Sequence, residues 1–98
     1  MRIYGLIGNP LGHSFSRRYF SQKFKYDHID DCEYRNFEIL DIEKEILELK
    51  KQSSIAGLNV TIPYKTAIIP YLDSLSVACK ELNACNCIQI KEGKWIGH

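Results

Sequence analysis

An amide, a hydroxyl and an amine follow one another at Asn59, Thr61 and Lys65, inside the stretch Gly57-Leu58-Asn59-Val60-Thr61-Ile62-Pro63-Tyr64-Lys65. The amide and the hydroxyl can both donate and accept hydrogen bonds, and the amine can hold or pass a proton. Such a set suits a small polyhydroxylated or carboxylated molecule better than an apolar one. Ser14 and Ser16 stand just ahead of a helical pattern. Ser16 can serve as an N-cap, its hydroxyl spent on a backbone amide; alternatively both serines face a ligand at a helix N-terminus, where the dipole favours a carboxylate. The sequence leaves these two readings open. Asn86 again pairs a polar group with the start of an extended segment.

The elements that must position these groups follow from periodicity. Leu58, Val60 and Ile62 fall on one face of an extended segment and Asn59 and Thr61 on the other. Pro63 cannot donate to a ladder and biases Ile62 away from helix, so the strand should end there and release Tyr64 and Lys65 at its C-terminal edge. In open α/β sheets that edge is where ligands bind. Ile3-Tyr4-Gly5-Leu6-Ile7 reads as a buried parallel strand, followed by a loop at Gly8-Asn9-Pro10 and a helix carrying Tyr19, Phe20 and Phe24. Residues 32–37 read as a second strand. Asp41 can cap a helix with Ile42, Ile46 and Leu49 on one face, before the central strand begins near Ile55. Residues 66–72, interrupted by Pro70, read as a short helix or turns. Ser76 should cap a helix running to about Leu82, closed by Asn83 in a left-handed conformation. Residues 84–90 return to extended structure, and Glu92-Gly93 suggests a hairpin into Lys94-Trp95-Ile96. The alternation predicts an α/β fold: an open, twisted, mainly parallel sheet with helices on both faces and an antiparallel C-terminal strand pairing.

Composition narrows the function classes. The 98 residues form one domain, 45% hydrophobic and 26% charged, with a formal charge of +1; that balance gives no general field for nucleic acid or an acidic membrane. No apolar run approaches the roughly 20 residues of a membrane span, and the N-terminus lacks the features of a signal peptide. A cytoplasmic location is the expectation. Cys85 and Cys87 are one residue apart, which on a strand puts both side chains on the same face, whereas zinc spacings normally place more residues between ligands. His13, His28 and His98 are scattered. Cys32, Cys79, Cys85 and Cys87 are therefore read as reduced and mostly buried, with no metal site. No glycine-rich phosphate-binding turn follows the first strand, so no cofactor-binding residue is assigned.

Gly8-Asn9-Pro10 with His13-Ser14-Phe15-Ser16, then Asn59-Val60-Thr61-Ile62-Pro63-Tyr64-Lys65, then Asn83-Ala84-Cys85-Asn86-Cys87, resembles the N-terminal substrate domain of the shikimate dehydrogenase family across essentially the whole chain. The resemblance implies reversible NADP-linked reduction of 3-dehydroshikimate to shikimate, a step of aromatic biosynthesis. It implies that Ser14 and Ser16 hold the substrate carboxylate, that Asn59, Thr61 and Asn86 surround the ring, and that Lys65 is catalytic. NADP would be held by a following domain absent from residues 1–98, and the family's Gly-x-Asn-Thr-Asp pattern would complete itself just after Gly97-His98. These residues alone are expected to be inactive and, as an isolated domain, to self-associate. Departures from the family's pattern are Arg17 in place of a frequent proline, Asn83 in place of glycine and Cys87 in place of threonine. Two other readings stand beside this one: a binding module for shikimate-like polyol acids without chemistry, and a quinate/shikimate dehydrogenase domain.

Overall fold

The computed structural model describes residues 1–12 and 16–98. The apolar N-terminal run forms strand β1 (Arg2–Gly8), with β2 (Cys32–Glu38) on one side and β3 (Ile55–Val60) on the other, both parallel to it. Helices α1 (Ser16–Tyr26) and α2 (Ile42–Lys50) make the connections. A short 3-10 turn (Ile69–Tyr71), strand β4 (Ser74–Leu75), helix α3 (Val77–Leu82) and strands β5 (Cys87–Lys91) and β6 (Lys94–Gly97) complete the described elements. The described strands form a six-stranded sheet in the order β2-β1-β3-β5-β6-β4.

Strand β5 alone among the described strands is reversed: it is antiparallel to β3 and to β6, while β4 and β6 are parallel. The sheet is thus mainly parallel with an antiparallel C-terminal pairing, as the pattern predicts, and the reversal extends one pairing further, to β3. The hairpin turns at Glu92 (φ 52°) and Gly93 (φ 77°), the left-handed pair that matches strand twist in a two-residue connection. The two-residue β4 was not anticipated. It is held by Asp73, whose N–H donates to the Trp95 carbonyl and whose Oδ2 accepts from the Trp95 N–H at 2.7 Å.

Alternate residues of β1 separate two apolar layers. Ile3 and Ile7 pack with Ile46 and Leu49 of α2, Leu58 and Val60 of β3, Cys79 of α3, Ile88 and Trp95. On the other face Leu6 joins Leu11 and Tyr34, with Tyr4 and the α1 residues Phe20 and Phe24 against them. Helices therefore cover both faces.

Caps set the helix boundaries. Asp41 Oδ1 accepts from the Lys44 N–H, and Glu45 returns bonds to the Leu40 and Asp41 amides. Ser76 Oγ accepts from the Cys79 N–H at 3.2 Å, and Asn83 closes α3 at φ 52°. Each such cap is worth about 1 kcal/mol.

Some expectations are corrected. Ile62 does not join Leu58 and Val60 in the core but is 73% exposed, because the strand ends at Val60 and the chain has turned away before Pro63. Cys85 and Cys87 do not share a face. Regular pairing starts only at Cys87, so Cys85 drops into the α2 layer while Cys87 sits opposite Asn59. All four cysteines are free.

Candidate functional site

The C-terminal ends of β1 and β3 and the start of the reversed β5 meet at one sheet edge. Backbone bonds lock that edge together. The Thr61 N–H donates to the Ile7 carbonyl at 2.8 Å, the Val60 N–H to the Asn86 carbonyl at 2.7 Å, and the Cys85 N–H to the Lys65 carbonyl at 2.8 Å. The turn after β3 closes with the Tyr64 N–H on the Thr61 carbonyl, and the Thr66 hydroxyl donates to the Asn83 carbonyl. Tyr64 anchors this turn from below, its hydroxyl donating to the Ile39 carbonyl. Residues 61–66 and 83–86, distant in sequence, are thereby held as one unit.

Of the residues singled out in the sequence, Asn59 lies on β3, Thr61 and Lys65 in the turn that leaves it, and Asn86 immediately before β5. Asn59, Thr61 and Lys65 are half-buried and Asn86 is exposed. Ser16 is the first residue of α1, its side chain beside the Tyr34 phenol. Ser14 lies outside the described residues.

The loop after β1 closes one side of the site. The Asn9 N–H donates to the Ile62 carbonyl, Asn9 Nδ2 to the Ile39 carbonyl, and the Leu11 N–H to Glu38 Oε1 at 2.8 Å. Gly8 is required there: a Cβ would stand 2.4 Å from Thr61 Cγ2 and 2.9 Å from Leu11 Cδ2.

Tyr34 was not foreseen. It lies on β2, 3% exposed, its ring stacked on Phe20 at 4.8 Å between centroids. Its phenol oxygen accepts from Asn59 Nδ2 at 2.9 Å. Burial pushes the Tyr34 pKa up and the bonds from Asn59 and Ser16 partly offset that, so the phenol stays neutral. The available signal was a tyrosine at an inward position of a strand, which must find a partner for its hydroxyl. Beyond Asn59 the same face opens into a concavity of about 730 Å³, bordered by Tyr4, Phe24, Gly57, Cys87 and Gln89.

A mainly parallel sheet that gathers amide, hydroxyl and amine groups at one edge defines an α/β domain of the kind that takes ligands at its strand ends. Residues 6–88 match the family described as the shikimate dehydrogenase substrate binding domain, and the chain belongs to that family. The NADP(+)-type shikimate dehydrogenase of Clostridium perfringens is 41% identical over 99 residues, covering 100% of this chain and 36% of that protein. Shikimate dehydrogenase 1 of Peptoclostridium difficile superposes with a TM-score of 0.89 at 38% identity, over 100% of this chain and 37% of its own. The shikimate 5-dehydrogenase of Listeria monocytogenes, solved with shikimate and NAD, gives 0.88 at 32% identity, over 100% of this chain and 34% of its own. The chain thus spans little more than a third of these relatives.

Proposed function

We propose that this chain binds shikimate and 3-dehydroshikimate and forms the substrate-binding part of an NADP-dependent shikimate dehydrogenase acting in aromatic biosynthesis. The observation that carries the reading is the locked sheet edge, where Thr61, Lys65 and Asn86 are held beside Asn59 by backbone bonds to Ile7, Cys85 and Val60. Ser14 and Ser16 take the substrate carboxylate, Asn59, Thr61 and Asn86 take ring hydroxyls, and Lys65 moves the proton at the reacting oxygen. Its ammonium also stabilises negative charge developing there. The hydride donor NADP is assigned to a second domain of such a dehydrogenase, residues 1–98 forming the first. The location is cytoplasmic. Ile62, Val77 and Leu82, each more than 70% exposed, support self-association of residues 1–98 on their own, which sedimentation at rising concentration detects as a growing mean mass; a constant monomer mass rejects it.

Titration of the 98-residue chain with shikimate, followed by backbone amide shifts, tests the substrate reading. Saturable shifts are expected at Ser16, Asn59, Thr61 and Asn86. A folded chain with no shifts at millimolar shikimate sinks it.

A further inference from the structure

We infer that Tyr64 and Thr66, the chain neighbours of Lys65, are positioning residues that set where its amine meets the ligand. The inference rests on the proton-transfer role proposed for Lys65 above. A lysine amine sits at the end of a long, flexible stem, whereas proton transfer requires the two heavy atoms within hydrogen-bond distance. A misplacement of about 1 Å can cost about a hundredfold in rate. Among the described residues Lys65 enters no ion pair, so the hold on its backbone decides where the amine can go.

That backbone is held before, at and after Lys65. The Tyr64 hydroxyl donates to the Ile39 carbonyl, while the ring packs against the core on the α2 side of the sheet. The Lys65 carbonyl accepts from the Cys85 N–H at 2.8 Å. The Thr66 hydroxyl donates to the Asn83 carbonyl at 3.0 Å. These anchors belong to different parts of the fold and are themselves fixed. Ile39 is 2% exposed, and its N–H donates to the Gly8 carbonyl. Asn83 closes α3 in the left-handed conformation with its N–H spent on the Cys79 carbonyl, and its own carbonyl is the one that accepts from Thr66. Lys65 is thus suspended between the chain leaving β2 and the cap of α3, and a shift of either moves the root of its side chain. Neither hydroxyl is needed to keep the fold. In Tyr64→Phe the Ile39 carbonyl retains its bond from Asn9 Nδ2, and Thr66 is exposed, so in Thr66→Val water can reach the Asn83 carbonyl.

The test titrates the 98-residue chain with shikimate and follows the ε-methylene signal of Lys65 beside the backbone amides of Asn59 and Asn86. Wild type, Tyr64→Phe, Thr66→Val and Thr66→Ser are compared. Saturating shikimate should shift the Lys65 signal in the wild type and in Thr66→Ser, which keeps the hydroxyl. In Tyr64→Phe and Thr66→Val that shift should largely disappear while affinity changes less than about threefold, under the scale of one net hydrogen bond. Kinetics of the dehydrogenase proposed above read the same split: kcat should drop about tenfold in Thr66→Val with KM for shikimate nearly unchanged, and Thr66→Ser should restore it. A merely structural role lowers affinity and the Asn59 and Asn86 shifts in the same measure as the Lys65 shift, and overturns the proposal. A wild-type Lys65 shift in both Tyr64→Phe and Thr66→Val, or shikimate binding that leaves Lys65 unshifted in the wild type, overturns it with the substrate reading intact. No binding by a folded wild-type chain rejects the substrate reading and this inference with it.

Discussion

At the residue scale the proposed chemistry rests on Lys65. In the dehydrogenase proposed above, Lys65→Ala should lower kcat by about 10²- to 10⁴-fold, the usual worth of a positioned proton-transfer group, with a far smaller change in KM for shikimate. Steady-state kinetics separate the two, and an unchanged kcat removes Lys65 from the reaction. Cys85 supplies a second prediction. Burial, opposed in part by a bond to the His98 backbone, pushes its thiol up from 9.0 to about 11. The folded state thus favours the neutral thiol, and its contribution is complete below about pH 9 and disappears as pH rises through 11. The loss is on the order of 2 kcal/mol. Denaturant midpoints should fall over that window, and Cys85→Ala should flatten the fall; parallel curves for the two proteins contradict it. The placement of Asn59, Thr61, Lys65 and Asn86 near one strand end was legible because Pro63 and Asn83 mark where the chain changes direction. The bond from Asn59 to Tyr34 was not, because it depends on the register that sets Leu6 between β2 and β3, and no local pattern states which strands become neighbours.

Capping and close approach decide the elements. Ser76→Ala should cost about 1 kcal/mol, read as a lower unfolding midpoint, and a shift within error would mean that Ser76 is no effective cap. The α3 boundaries and the Glu92-Gly93 hairpin were readable because their residues impose backbone geometry locally. The end of β3 was misjudged at Ile62, where alternation continues in the sequence but the chain has already left the ladder to form the Thr61–Tyr64 turn. Gly8→Ala tests the loop that borders the site. Its Cβ would displace the Thr61 methyl or the Leu11 side chain, so shikimate affinity should drop at least as much as stability does. Unaltered binding in a folded Gly8→Ala protein would show that Thr61 lies outside the ligand contact.

At the scale of the molecule, the fold class was readable from strand and helix alternation, while the reversal of β5 depends on how the segment between β3 and β5 crosses the sheet, which has no periodic signature. That reversal brings the beginning of β5 to the edge where β1 and β3 end, and it sends the Glu92-Gly93 hairpin to the opposite edge. The rim proposed to contact ligand and the hairpin therefore lie at opposite ends of the strands. A tether or reporter inserted between Glu92 and Gly93 would hold the domain on a sensor surface with its binding rim facing the bulk liquid, a built-in point of attachment for immobilised assays.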